Sequence, residues 1–462
     1  MLSGMHIFSL TLTLLIVMGA GIFSVRQIKS AHDFTVGGRA VGAPIVAGTI
    51  VGTLVGGAST IGTSQLAFVY GFSAWWFTLG GGLACVILGI FLAKPLRDSG
   101  AETGPGFLAH IYGREAGPLA SIFSSLGIFL NIIAQVLAAT ALITSIAGIP
   151  SVQAANISVF LVVCYVIFGG VWGTGFVGTL KIVLLYVSML AAGLLAYRLG
   201  GGLAGFRGTF ASYPWFSLFG RGVGKDFAAG FSLLVGVLST QTYLQAMFSG
   251  RNVQASRNGA LISGLLIPPI GLAGIFIGLY MKANFPLTNA RDALPLFVIQ
   301  YLPHWLGGVV LATLLISVIG TGAGLVLGVS TMFTQDIYRK ICPQASDKQI
   351  ITFSRVSIVV VSLLTLFFVA GNMNSLILKW SFLSMGLRGA TICFPLLGAV
   401  FFRDRINSRA GIWAIIIAPL SSILWAFFGY STIDPLYVGL TVSLGILLLG
   451  SLVSRHVTFT SH

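Results

Sequence analysis

Lys181 and Arg388 are the side chains best placed to do chemistry, because each lies well inside a long apolar segment. An ionised group at hydrocarbon depth costs several kcal/mol at least, so it is normally kept for pairing, for substrate or for ion coupling. None of the ten acidic residues lies deep in such a segment. With no carboxylate at that depth, the two cations point to a negatively charged species arriving from outside the protein. Lys181 also has a plainer reading. It is about seven residues, or roughly 10 Å, inside its segment, and a lysine stem can carry the amine that far to water. Lys379 is nearer an end and has the same escape. Arg388 is suited to a bidentate carboxylate contact, or else it caps the open carbonyls of a broken helix.

The elements that must hold these groups are membrane helices. Hydrophobic residues make up 56% of the 462-residue chain and charged residues 8%, against about 25% charged in ordinary soluble domains. The formal charge of +15 is spread as single residues between apolar spans, which suits lipid headgroups and excludes a nucleic-acid surface. Cys85, Cys164 and Cys393 fall in apolar spans and Cys342 in a polar loop, a spacing that fits neither a zinc site nor a disulfide framework. The first apolar run, about Met5 to Val25, lacks a basic leader and a cleavage site, and reads as a retained helix.

About 20 apolar residues make a membrane span. Thirteen stretches meet that template, starting near residues 5, 44, 73, 117, 151, 174, 227, 259, 305, 351, 375, 410 and 435. An odd number puts the termini on opposite sides. With the N-terminus outside and the C-terminus in the cytoplasm, sixteen of the 25 Lys and Arg fall in cytoplasmic loops and the tail, among them Arg26, Lys29, Arg39, Arg97, Arg251 and Arg339. That excess supports the orientation, in a cell (inner) membrane. The external stretch Gly200 to Lys225 mixes cations with Phe206, Trp215 and Phe219 and predicts a helix lying on the outer surface. Tyr70, Trp75 and Trp76 read as interfacial anchors.

Two spans make poor helices. The second carries Gly48, Gly52, Gly56, Gly57 and Gly62 among Ser and Thr, and the seventh has Gly230 and Gly236 followed by Ser239, Thr240, Gln241, Thr242 and Gln245. Each helical glycine costs roughly 0.5–1 kcal/mol against alanine. Small residues also permit close helix packing. Two such spans at matching positions of two halves predict an inverted-repeat transporter with discontinuous helices at its midplane.

Several motifs then resemble one family. Ser30 to Arg39 (SAHDFTVGGR), Gly62 through Ala67 to Gly71, Phe107 to Gly113, Ala293-Leu294-Pro295 with Leu302-Pro303 and Gly307-Gly308, and Phe333 to Tyr338 are similar, in that order, to the sodium/solute symporter family. The resemblance implies an all-α membrane protein of about 13 helices with a leucine-transporter-type five-plus-five repeat, its second and seventh helices broken. It divides the chain into 1–43 (first helix and signature loop), 44–199 (first repeat), 200–225 (external loop), 226–402 (second repeat) and 403–462 (two helices and a tail). It implies a sodium ion held by the carbonyls of Gly52, Val55 and Ser317 and the hydroxyl of Thr321. Two departures weaken that site. Gly320 stands where a second hydroxyl is usual, and Thr179-Leu180-Lys181 replaces a Thr-Asp pair. In sodium-independent relatives of this fold a lysine occupies the place of sodium, and Lys181 looks similar.

The resemblance places the solute between the broken spans and the third, eighth and eleventh, where Ser59, Thr63, Thr78, Thr240, Gln241 and Arg388 would line the pocket. Each hydroxyl or amide has the alternative of bonding a neighbouring backbone. The implied function is import of a small organic solute, an anionic carboxylate, by alternating access, coupled to sodium or to protons through Lys181. A sodium-coupled symporter of a neutral solute is the alternative. An enzyme is disfavoured: His6, His32, His110, His304, His456 and His462 are dispersed, and none joins two acidic groups at metal-ligand or triad spacing. A membrane sensor would need a separate partner, and a channel would need a ring of like charge or a repeated filter loop. No organic cofactor and no obligatory protein partner is expected beyond the solute and the bilayer.

Overall fold

The computed structural model describes residues 2–25, 40–373, 375–403, 405–428 and 433–459, and only the backbone of 18, 20–25, 168–179 and 453–459. The stretch Ser30–Arg39, with Arg26 and Lys29, lies outside the described residues. Among those described there is no strand, only an isolated parallel bridge between Val41 and Gly250.

The helices in chain order are α1 (Gly4–Val25), α2 (Ala43–Leu54), α3 (Thr63–Tyr70), α4 (Trp76–Ile87), α5 (Ala93–Asp98), α6 (Gly104–Tyr112), α7 (Ala116–Ala147), α8 (Ser151–Leu199), α9 (Gly202–Thr209), α10 (Val223–Ser239), α11 (Gln241–Ser249), α12 (Val253–Asn284), α13 (Ala293–Tyr301), α14 (His304–Met332), α15 (Asp347–Ala370), α16 (Ile377–Arg388), α17 (Phe394–Phe401), α18 (Ser408–Phe428) and α19 (Pro435–Phe459). Nine helical stretches among the described residues are long and apolar enough to cross a membrane, ten if the bent pair α10–α11 is one span. The thirteen expected starts and these counts differ because spans are cut or fused. The stretch Ala58–Asp98 counts once at 41 residues, yet Gly71 at φ +66° turns the chain within it. The expected fifth and sixth spans fall in α8, one helical stretch of 49 residues. Straight, that would measure about 74 Å, more than twice a bilayer core, so it cannot cross as a single rod.

Both expected breaks occur. In the second span α2 stops at Leu54, Val55 leaves helical geometry at φ −90°, ψ 89°, and a π-turn over Ala58–Gly62 leads into α3. Glycine is required at the break. A Cβ on Gly56 would lie 2.4 Å from Thr321 Oγ1, and one on Gly57 2.3 Å from Ala138 Cβ. In the seventh span α10 ends at Ser239, Thr240 is extended at φ −86°, ψ 123°, and α11 departs at 44°. A third irregularity, a π-turn at Gly389–Cys393, follows Arg388 in the eleventh span. Gly386 itself stays helical.

α14 is the axis of the core. It packs on α1, α7 and α8, and its run of Gly, Ala, Ser and Thr lets backbones approach closely. A Cβ on Gly324, for instance, would lie 2.3 Å from Thr53 Cγ2. On the expected outer side α9 buries Phe206 and exposes Arg207. The next loop seats its backbone against Gly71: Phe72 N donates to Trp215 O at 2.8 Å, and a Cβ on Gly71 would lie 2.1 Å from that oxygen. Trp75 and Trp76 are half-buried and donate to Pro268 O (3.1 Å) and Leu218 O (2.7 Å), so they tie helices and loop together. Gly71→Ala therefore adds both a disfavoured backbone and a collision, costing about 1–3 kcal/mol. The expected readout is a thermal midpoint several degrees lower in detergent than for a Gly224→Ala control, whose Cβ meets open space.

Candidate functional site

Breaking a membrane helix frees backbone groups that must find partners inside the protein. In the second span those partners come from distant helices. Lys181, on α8 and 3% exposed, extends its amine into the break and donates to Gly52 O at 2.5 Å, Ser317 O at 2.9 Å and Thr321 Oγ1 at 3.0 Å. An ammonium has three donors, and all three are matched. Ser317 Oγ donates to Val55 O at 2.9 Å and Thr321 Oγ1 to Gly52 O at 3.0 Å. Gly52, Val55, Ser317 and Thr321 are thus brought together, with the lysine nitrogen bonded to three of them. Snorkelling is overturned for Lys181, because its amine points into the protein. At Gly320 a Cβ would meet Tyr165 Oη at an ordinary 3.7 Å, so space is not what keeps a side chain off that position.

Arg388 is fully buried at the end of α16. Its Nη1 donates to Thr240 Oγ1 at 2.7 Å, Nη2 to Ser384 Oγ at 2.8 Å and Nε to Ser384 O at 3.1 Å, with Met385 Sδ 3.2 Å from Nη2. Gly127 on α7 makes room, since a Cβ there would lie 2.5 Å from Arg388 Cγ. Thr240 in turn donates to Gly236 O at 2.5 Å. The guanidinium therefore reaches the break of the seventh span, and its hydrogen-bond partners Thr240, Ser384 and Met385 are all neutral groups.

A line of polar side chains runs between the two breaks, and four of its members, Asn131, Gln135, Ser381 and Ser384, were missed in the sequence. Gln135 Oε1 accepts from Gly57 N at 2.8 Å, replacing a helical partner lost at the break. Gln135 Nε2 donates to Asn131 Oδ1 at 3.4 Å, which also accepts from Ser381 Oγ at 3.0 Å. One turn along α16, Ser384 donates to Gly127 O and accepts from Arg388. The available signal was an Asn and a Gln one helical turn apart in an otherwise apolar span, which puts both amides on one face.

The remaining expected pocket residues do not meet. Ser59 donates to Leu54 O at 2.8 Å, Thr63 to Ala58 O at 3.2 Å and Thr78 to Trp75 O at 3.4 Å, all local backbone. Gln241 receives Gly104 N at 2.9 Å and donates to Glu102 O at 3.4 Å, so it anchors the start of α6. Only Thr240 touches Arg388. Asp336, at the edge of its apolar segment, is buried and accepts from Thr103 Oγ1 at 2.9 Å and Ser121 Oγ at 2.7 Å. It contacts neither deep cation. A small cavity between α2, α11 and α14, with Thr49, Thr53, Thr242, Gln245 and Gly324 among its walls, lies next to the Gly52 and Thr321 turns.

Two interrupted helices, backbone oxygens satisfied by side chains from afar and two buried cations together define a polytopic helical membrane protein of the transporter class. The chain belongs to the sodium:solute symporter family, whose pattern it matches over residues 34–418. The human high affinity choline transporter 1 is 24% identical over 372 residues, covering 75% of this chain but 64% of that protein, less than two thirds of its length. The uncharacterized symporter YwcA of Bacillus subtilis (strain 168) is 23% identical over 442 residues, 89% of this chain and 84% of that one. Among solved structures, a Na+-coupled sialic acid symporter in a substrate-bound outward-open state superposes with a TM-score of 0.81 at 17% identity, covering 98% of each chain. A nucleobase-cation-symport-1 family transporter, closed with bromovinylhydantoin bound, gives 0.63 at 14% identity over 92% of this chain and 95% of its own. At such identities the likeness concerns the fold. These proteins are transporters, not enzymes, and family membership implies a multi-pass membrane protein that handles a small solute.

Proposed function

We propose that this chain imports a small organic anion, a carboxylate, across the cell (inner) membrane by alternating access, with the N-terminus outside, the C-terminus in the cytoplasm, and coupling through the proton on Lys181. The observation that carries this reading is the amine of Lys181 on Gly52 O, Ser317 O and Thr321 Oγ1, three of the four oxygens that the family resemblance gives to sodium. The broken second and seventh helices are read as equivalent members of two inverted repeats.

Coupling follows from counting donors. Protonated, the amine supplies three N–H groups to three acceptors and ties α8 to α2 and α14. Deprotonated, it keeps two N–H groups for Gly52 O and Ser317 O, and its lone pair can be met only by the Thr321 hydroxyl, which must then give up its bond to Gly52 O. Loss of the proton therefore loosens the contact of the broken span with α14. That is what a bound coupling ion must control.

Arg388 and its line of hydroxyls and amides support an anionic solute. A buried guanidinium attracts a carboxylate and repels a quaternary ammonium such as choline. Sialic acid, carried by the symporter of similar fold, is itself a carboxylate. The second reading, sodium-coupled transport of a neutral solute, is favoured by the family's name and by that neighbour's sodium dependence.

Purified protein in liposomes separates the two. Carboxylates, neutral sugars, amino acids and choline are offered under an imposed sodium gradient or an imposed proton gradient. A carboxylate should accumulate under an inward proton gradient with no gain from sodium. Sodium-driven uptake, or accumulation of a neutral solute alone, overturns the proposal.

A further inference from the structure

α2 ends at the Val55 break and α11 begins at the Thr240 break, and the far ends of these two half-helices are laced together. Val41 N donates to Ser249 O at 3.4 Å, Arg251 N to Val41 O at 2.8 Å, and Arg97 Nε to Gly250 O. On the topology proposed above, this lacing lies toward the cytoplasm. The small cavity between α2, α11 and α14 has Thr242 in its wall, and the buried Oγ1 of Thr242 has no hydrogen-bond partner. The paired half-helices meet a polar fastening at the start of α6. Gln241, the first residue of α11, accepts from Gly104 N at 2.9 Å and donates to Glu102 O at 3.4 Å. Thr103, between them, caps α6 through Gly106 N at 2.8 Å and donates to Asp336 Oδ1 at 2.9 Å. Asp336 lies in the π-turn Phe333–Tyr338 that follows α14, and it also takes Ser121 Oγ of α7 at 2.7 Å.

We propose that residues 102–104 are the clasp of a cytoplasmic gate: Gln241 holds the paired half-helices to them, and Asp336 with Ser121 holds them to α14 and α7. This rests on the alternating-access function proposed above. A helix turns most easily where its backbone ladder is already interrupted, with a few element-terminal residues absorbing the change. Val55 and Thr240 are such points for α2 and α11. Rotation of the pair about them widens the cavity between α2, α11 and α14, and it requires Gln241 to leave Gly104 N and Glu102 O. The other side of the clasp is the firmer one. A carboxylate that takes two hydroxyls is a strong acceptor, and α6 is held again at its far end by Tyr112 Oη on Pro395 O at 2.8 Å. The neutral Gln241 contact therefore parts first. Asp336 is a positioning residue in this account, acting through Thr103. Gln241 also directly follows Thr240, the partner of Arg388, which sets the clasp one residue from the proposed solute contact.

Thiol labelling of the full chain purified in detergent tests the clasp, with each labelled peptide quantified by mass spectrometry. Thr242→Cys is the reporter at the cavity, and it removes no hydrogen bond, since Thr242 Oγ1 makes none. Ser422→Cys, buried on α18 where that helix packs on α19, reports general loosening. Gln241→Leu and Asp336→Asn should each raise the labelling rate at residue 242 at least about tenfold, the effect of losing one or two hydrogen bonds. The rate at residue 422 should not change. Ser121→Ala should raise the rate at residue 242 about threefold, and it decides alone if the other two variants fail to fold by gel filtration. Unchanged labelling at residue 242 in a folded variant overturns the clasp. So does a parallel rise at residue 422, the result expected of residues that only hold the fold. No solute or gradient is present, so this test and the uptake assays fail separately.

Discussion

Lys181→Ala should abolish proton-driven uptake and, in the same protein, create a response to sodium. Removing the amine leaves Gly52 O, Ser317 O and Thr321 Oγ1 facing one another in a buried pocket, with Val55 O held beside them by Ser317 Oγ. Each charge-assisted hydrogen bond that the amine gives these neutral acceptors is worth about 1.5–3 kcal/mol, and each 1.4 kcal/mol is about tenfold, so loss of two or more should lower uptake by at least about a hundredfold. The vacated set is one of hard oxygens, which suits an alkali cation. Sodium chloride, compared with potassium chloride, should therefore raise the thermal midpoint of Lys181→Ala and leave the wild type unmoved. The two arms fail separately. Uptake with an unchanged pH dependence in Lys181→Ala removes the proton role. A variant indifferent to sodium, with uptake lost, keeps the coupling role and removes the equivalence of amine and ion.

Arg388→Met should lose solute binding without losing the fold. A buried guanidinium held by neutral groups pays its desolvation without an opposite charge, and methionine is an adaptable apolar filler of similar length. The thermal midpoint of the empty protein should stay level or rise. Carboxylate affinity should fall about 30- to 1000-fold, corresponding to about 2–4 kcal/mol for a fully desolvated charge contact. Equilibrium binding and a melting curve on the same sample check both. If the arginine instead serves as a cap on Ser384 O and Thr240, the midpoint drops and affinity follows it in proportion. Arg388→Lys sharpens the contrast: charge is retained but the planar fork is lost, and an affinity near wild type would show that charge alone suffices.

Much of this was readable from residue types. The membrane class follows from 8% charged residues, and both helix breaks from glycine clustered with Ser and Thr in otherwise apolar runs. Lys181 and Arg388 stood out because a charge at that depth is costly wherever its partners are. The oxygens around Lys181 came only through the family resemblance. The depth of Lys181, within reach of water for an extended lysine stem, left the direction of the amine open. Of the residues expected to line a pocket, Thr240 bonds Arg388, whereas Ser59, Thr63 and Thr78 bond nearby backbone and Gln241 serves α6. A hydroxyl's nearest unsatisfied carbonyl is not visible from its neighbours in the chain. Asn131, Gln135, Ser381 and Ser384 carried visible chemistry with no visible partner.

Composition and periodicity thus suffice for the membrane class, for where the helices fail and for which charges are anomalous, since each is a cost borne locally by solvent or backbone. Which oxygen meets which nitrogen is another matter. Lys181 lies 129 and 140 residues from two of its partners, and their convergence depends on how α2, α8 and α14 settle together. That settling is governed by small side chains letting backbones close to contact, a cooperative packing of many weak attractions that no single segment encodes.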